Sequence, residues 1–323
     1  MWNVQAGLLS VAAINAIYNV VAQVIGRSSL DPVVFSTYRD FAAAPILFVL
    51  ALPGVVDRYV GQGPAGQTAA GRGLWPKTRS DLFRMAVQGA LGVYANQILF
   101  LFGVELTDAT TGSVCNLTLP VFAAAIGMCT GRESFRWQTI LGLCFCLAGA
   151  LLMKLEAGPR EGGSVLGVLL LLAGSFCSAV YYIIQKETLR RYPAVLVTSW
   201  EYLFGFALMA LSAAILADRR PQSWVLTNAS IVMLAFTVLF NSVAKYLLNS
   251  ICNKYVSATV LTCWSTVVPV FTAGLSFVFL SEPLRVSYLG SLPVLLGVFL
   301  VMRAREDSRK DPGFAKLQEL EPC

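Results

Sequence analysis

Residues 94–136 read YANQILFLFGVELTDATTGSVCNLTLPVFAAAIGMCTGRESFR, and residues 243–285 read VAKYLLNSICNKYVSATVLTCWSTVVPVFTAGLSFVFLSEPLR. The two stretches align without a gap. Ala95 meets Ala244, Leu99 meets Leu248, Ala109-Thr110 meets Ala258-Thr259, and Pro120-Val121-Phe122 meets Pro269-Val270-Phe271. Ala124 falls on Ala273, Glu133 on Glu282 and Arg136 on Arg285. One deletion later Leu141-Gly142 meets Leu289-Gly290, and Gly149 meets Gly297. Nearer the start of each half, Ala16 to Gln23 (AIYNVVAQ) resembles Ala179 to Gln185 (AVYYIIQ). Self-similarity at such a spacing means the fold is built twice from one unit.

What that unit is follows from composition. Of 323 residues 56% are hydrophobic and 13% charged, with a mean hydropathy of +0.67. Soluble domains carry about a quarter charged residues, so too few polar groups remain to cover a wetted surface, and soluble, nucleic-acid-binding and disordered classes are excluded. The chain has no histidine, which removes imidazole acid–base chemistry and histidine metal sites. Its eight cysteines lie mostly inside apolar runs with no Cys-x-x-Cys, and read as small buried hydrophobes. No nucleophile–base pair or metal cluster appears, so an intramembrane enzyme is not expected and no cofactor is implied.

A helix crosses the hydrocarbon core with roughly 20 apolar residues. Ten such stretches are expected near Gly7–Ile25, Pro32–Leu52, Leu82–Phe102, Ala109–Thr130, Trp137–Leu155, Ser164–Gln185, Ala194–Leu216, Ala229–Ile251, Ser257–Leu280 and Tyr288–Met302. The expectation is an all-α integral membrane protein: a first five-helix repeat over 1–156, a second over 164–302, and a charged, poorly ordered cytoplasmic tail over 303–323. With both termini inside, 16 of the 24 Lys and Arg residues fall on the cytoplasmic side and six outside, Arg39 and Lys245 lying within spans. The positive-inside rule supports that orientation, and no cleavable leader is expected before the first span. An odd number of spans per repeat inverts the second half relative to the first. Inverted halves around a pseudo-two-fold axis are the architecture of many secondary transporters, because exchanging the two repeat conformations changes which side is open. The alternative of another class is a non-transporting membrane scaffold.

Ionisable side chains at the bilayer centre cost about 2.5–3.5 kcal/mol on insertion scales and normally face protein or water. Arg39 and Asp40 lie about two turns into the second span, Glu201 equally deep in the seventh. With Pro32 placed on Pro193, Asp40 coincides with Glu201. Lys245 falls on the position of Asn96. These four are the candidate charge-sensing or proton-linked groups. The readings are a role in coupling or mutual neutralisation of the carboxylates with Arg39 or Lys245, and for Lys245 also snorkelling of its ammonium inward. Glu201 has no charged sequence neighbour and is the better proton carrier. Asn15, Asn19 and Gln23 form one stripe at i, i+4, i+8 on span one, with Tyr18 beside Asn15. Asn96, Gln97 and Asn116 add amides from spans three and four. Solute contact is therefore assigned to Asn15, Tyr18, Asn19, Asn96, Gln97 and Asn116, with interhelical bonding as the structural alternative. Small-residue spacings such as Gly127/Gly131 and Gly142/Gly149 are expected to let helices approach closely. Pro120 and Pro269 are expected to kink their helices.

These residues carry a resemblance. Tyr38-Arg39, Asn96-Gln97 with Gly103, Thr107 and Ala109-Thr110, then Asn116, Pro120, Tyr192-Pro193, Pro269 and Leu280-Ser281-Glu282 are similar to EamA-type members of the drug/metabolite transporter superfamily. Within it the chain most resembles the plant "walls are thin"/nodulin-21-like exporters. It departs from them in span eight, where Ala244-Lys245-Tyr246 stands in place of an aromatic pair. The resemblance implies ten helices, an alternating-access pore and a small organic solute such as an amino acid or organic acid. A sugar-phosphate or nucleotide-sugar exchanger, with Arg39 and Lys245 holding phosphate, is the alternative. The partners implied are a small-molecule solute and membrane lipid, with no nucleic acid. A homodimer is left open. The resemblance favours the plasma membrane and leaves an organelle or the Golgi membrane open.

Overall fold

Asp31 opens the second helix by accepting from the backbone of Val33 (2.8 Å) and Val34 (3.4 Å), with Pro32 at the first helical position. Thr78, Thr227 and Ser257 cap three further helices in the same way, each satisfying an N–H that a helix start leaves unpaired. In this computed structural model the described residues are 2–25, 31–52, 74–107, 109–131, 136–154, 164–216, 224–268, 270–272, 274–275 and 291–309. Among them every regular element is helical.

The helices are α1 (Trp2–Ile25), α2 (Pro32–Leu50), α3 (Arg79–Glu105), α4 (Ala109–Asn116, then Leu119–Cys129), α5 (Trp137–Lys154), α6 (Val165–Arg191) and α7 (Ala194–Leu216). They are followed by α8 (Asn228–Phe236, Thr237–Ala244 and Lys245–Tyr255 in succession), α9 (beginning Ala258–Cys263) and α10 (Ser291–Arg309). Five are long and apolar enough to cross a membrane, and five shorter apolar helices accompany them. Each coincides with a span expected from hydropathy. Leu9, Phe41, Val49, Leu211, Val232 and Phe299 are exposed, the outward apolar surface a bilayer covers.

Two expectations need correction. The charged segment after Met302 begins as helix, since α10 runs on through Arg303 to Arg309. Gly131 is not a helix-contact residue: it lies past the end of α4 with φ +69°, in open space, and so terminates the helix. Gly142, by contrast, faces α10. A Cβ there would come 2.8 Å from the carbonyl oxygen of Gly297, and one on Gly297 would come 2.5 Å from that of Gly142.

The halves are inverted. Val4 of α1 lies by Cys252 near the end of α8 (3.8 Å), and Lys186 near the end of α6 bonds Val256 just beyond α8 (2.8 Å). The start of α1 and the end of α6 therefore share one end of the molecule. At the opposite end Ser164 N donates to Leu106 O (3.2 Å), joining the start of α6 to the end of α3. The packing repeats accordingly: α2 lies on α7 and α5 on α10, each helix against its own counterpart, while α3 on α6 is matched by α8 on α1.

The backbone irregularities repeat as well. Gly89–Ala95 in α3 is wound as a π-helix, and so is Thr237–Ala244 in α8. The gap-free register places 89–95 on 238–244. The break in α4 at Leu117-Thr118 falls on 266–267, within the 3-10 turn Trp264–Val267 of α9. Each lies just before a repeated proline, Pro120 or Pro269, as expected of a residue that removes an N–H. Pro269 itself lies outside the described residues. Thr118 and Thr266 turn their hydroxyls back onto the carbonyls of Cys115 (2.6 Å) and Cys263 (2.7 Å).

Candidate functional site

Polar side chains collect at mid-depth where α1, α2, α3, α6, α7 and α8 meet. On α2, Arg39 wraps back onto its neighbour. Nη2 lies 2.8 Å and Nε 2.9 Å from Asp40 Oδ1, and both residues are buried. Nη1 reaches Gln97 Oε1 on α3 at 3.3 Å, and Gln97 Nε2 donates to Ser36 Oγ at 3.1 Å. Of the two readings of Asp40, the geometry gives the ion pair. Asp40 Oδ2 has no hydrogen-bond partner among the described residues.

Glu201 on α7 is fully buried in different company. Its Oε2 accepts from Tyr181 OH at 3.1 Å, and Gln185 Nε2 stands 3.1 Å from each of its oxygens. Gln185 also reaches Tyr181 OH (2.6 Å) and Ser250 Oγ (3.0 Å), while Asn253 Nδ2 donates to Gln185 Oε1 (2.9 Å). Ser250 and Thr198 share a hydrogen bond of 2.9 Å. The network ties α6, α7 and α8 together with neutral donors. Glycines on the π-helical turn of α3 let that helix press onto it. A Cβ at Gly89 would come 2.5 Å from the carbonyl oxygen of Glu201, and one at Gly92 would strike the Tyr181 ring.

Between the two carboxylates lie tyrosines. Tyr202 and Tyr246 meet edge to face with ring centres 5.2 Å apart, and the rings of Tyr181 and Tyr182 lie tilted at 4.9 Å. Lys245 Nζ donates to Asn15 Oδ1 at 3.3 Å and stands 5.2 Å from the centre of the Tyr246 ring. Asn116 Oδ1 accepts from Ser175 Oγ (3.4 Å), and Asn96 lies beside the neighbouring Gly174. The residues assigned to solute contact thus fall in three places: Asn15 with Lys245, Gln97 with Arg39, and Asn96 with Asn116 against α6. Tyr18 is half-buried on α1. The side chains of Asn19 and Gln23 lie outside the described residues.

The sequence reading passed over Tyr202, Tyr246, Asn249, Ser250 and Asn253. Lys245, Asn249 and Asn253 repeat the i, i+4, i+8 spacing that singled out Asn15, Asn19 and Gln23, so the signal was there. Trp200 lies one residue before Glu201 and is engaged outside this network. Its Nε1 donates to Leu74 O (2.9 Å) and its ring meets Trp75 at 5.1 Å, holding the segment before α3. Beside it Asp81 accepts from Thr78 Oγ1 (2.8 Å) and Tyr192 OH (2.9 Å) and pairs with Arg191 at 3.3 Å.

The profile of the EamA-like transporter family matches this chain twice, over residues 4–155 and 165–303. The chain belongs to that family. EamA-like relatives include the Bacillus subtilis protein named Uncharacterized transporter YetK, 26% identical over 235 residues, which make up 72% of this chain and 71% of that protein. The Arabidopsis thaliana WAT1-related protein At1g44800 is 24% identical over 93% of this chain and 86% of its own. A solved structure described as "Crystal structure of protein" superposes with a TM-score of 0.74, covering 94% of this chain and 98% of that one at 15% identity, a likeness of fold. The expected placement near the plant "walls are thin" group of the drug/metabolite superfamily is met. This EamA-like protein is a multi-pass membrane transporter.

Proposed function

We propose that the protein carries a small organic metabolite by alternating access, with the mid-depth polar belt as the solute site and Glu201 as the proton-linked group. The observation that supports this most is the pair of carboxylates at equivalent positions of inverted halves, one neutralised by a cation and one not. Glu201 is held by Gln185 and Tyr181 from α6, with Ser250 and Tyr246 approaching from α8. Its charge can change without stranding a cation. Asp40 has Arg39, so removing its charge leaves a buried guanidinium unpaired. Asn15, Tyr18, Asn19, Asn96, Gln97 and Asn116 contact the solute in this reading. The matched π-helical turns in α3 and α8 are where the halves bend.

Reconstitution into liposomes tests it. Wild type should accumulate a transported metabolite when a pH gradient is imposed. Glu201→Gln should lose that accumulation while keeping solute exchange at equal pH. Asp40→Asn should be milder in this respect, or misfold. Full gradient-driven accumulation by Glu201→Gln would remove proton coupling through this residue and leave a facilitator or exchanger.

A further inference from the structure

We infer that Lys245, together with Asn15, is an anion-reading subsite, and that the carried solute is a small organic monoanion of the carboxylate class. This rests on the carrier reading above and narrows its substrate. Lys245 sits midway along α8, on the position that neutral Asn96 holds in the other half, so its charge has no counterpart across the pseudo-symmetry. Its ammonium meets a neutral amide oxygen, Asn15 Oδ1, at 3.3 Å and a tyrosine ring at 5.2 Å. Among the described residues it forms no ion pair, and the charged side chain within its electrostatic reach is Arg39, of the same sign.

The carboxylates of the polar belt are committed elsewhere. Asp40 Oδ1 is held by Arg39, and both oxygens of Glu201 face Gln185 and Tyr181. A cation at membrane depth is retained where it has work to do, and the partner missing here is an anion. Asn15 strengthens the site, because an amide that turns its oxygen to the ammonium presents its two N–H donors on the other side. The charge is read as single. Arg39 directs Nε and Nη2 to Asp40 and Nη1 to Gln97, so a phosphate dianion would find one free cation where it needs two or a bidentate arginine.

The test uses the full chain in nanodiscs and liposomes. Acetate, benzoate and glutarate are offered against acetamide, benzamide and glutaramide, with benzylamine as a cation. Wild type should take up at least one acid about tenfold faster than its amide. Lys245→Met should bring that acid down to the amide rate, and Lys245→Arg should keep most of it. In carboxylate-free buffer Lys245→Met should melt higher than wild type, because an uncompensated charge has been removed. A lower melting temperature means Lys245 has a resident partner and overturns the proposal. Acid uptake untouched by Lys245→Met, or amides and benzylamine carried as fast as acids, also overturns it while leaving the carrier reading standing. Uptake of no probe by monodisperse wild type removes the carrier reading itself.

Discussion

Asp40 and Glu201 occupy the same place in the two halves and have opposite surroundings. Asp40 is clasped by a guanidinium from its own helix, which in turn holds Gln97 of α3. Glu201 is surrounded by a phenol, an amide and, one bond further out, a serine and an asparagine. The repeat register shows how this arose in the chain. Asn249, Ser250 and Asn253 fall on Phe100, Leu101 and Val104, so the first half has apolar side chains where the second has its donors. Meanwhile the π-helical turns and the breaks before the prolines have stayed aligned. The halves share a way of bending and differ in chemistry. In the alternating-access reading proposed above, where the halves exchange conformations about a pseudo-two-fold axis, the first serves motion and the second direction.

The comparison is most exposed at Arg39. Arg39→Met leaves Asp40 charged and buried, and should destabilise the folded protein by about 3–5 kcal/mol, with the double variant Arg39→Met, Asp40→Leu recovering most of it. Thermal melts in nanodiscs measure both. If Arg39→Met is as mild as any change at Glu201, the ion pair is not what distinguishes the halves.

Gly142→Leu should follow in size, losing about 1–3 kcal/mol, since α5 and α10 meet there glycine to glycine. It tests whether the counterpart helices pack as one unit whatever the polar belt does, and transport per folded molecule should fall less than the folded fraction.

Ser250→Ala removes a hydroxyl shared by Gln185 and Thr198 and should cost about 1 kcal/mol. The same change makes the second half more like the first. It should also shift the pH at which uptake is half-maximal, a readout that a purely structural serine would leave alone.

Glu201→Gln should be the gentlest in stability, within about 1 kcal/mol, because the amide replaces a carboxylate that no cation holds. A large loss there would place an unseen charge partner beside Glu201 and erase the contrast with Asp40. Orientation is checked without perturbing the fold. Single cysteines at Gln67 and Lys316, on a background lacking reactive thiols, should resist an impermeant maleimide in intact cells, placing the end that holds Asp81, Arg191 and Trp200 in the cytoplasm.

Much of the fold was legible because hydrophobic length is a one-dimensional property. Among the described residues each of the ten runs holds a helix, with Ala194–Leu216 matching to the residue. Ends slipped where charge misled. Charge places Lys186 to Arg191 and Arg303 to Arg309 in loop and tail, yet a helix leaving the bilayer can continue in water when neighbours hold it, as Val256 and Asp81 hold α6. Of the site, the carboxylates and the Asn15 face could be read from depth and periodicity. The α8 stripe of Lys245, Asn249 and Asn253 obeyed the same rule and was hidden by its lysine, which drew attention as a lone charge.

The sequence by itself determined that this chain is an all-α membrane protein with ten apolar runs, that it is one five-helix unit written twice and inverted, and that Asp40 and Glu201 hold equivalent positions in the two halves. Apolar run length, parity and register are all properties of order along the chain. Only the tertiary structure decided which carboxylate meets the arginine, which meets the amides, and where Lys245 is left facing a neutral oxygen. Adjacent residues on a helix point about 100° apart, yet a long guanidinium stem can fold back across that angle to its neighbour. Contacts between α6, α7 and α8 join residues up to 71 positions apart. Side-chain reach and helix packing set those partners, and neither is written in the spacing of residues along the chain.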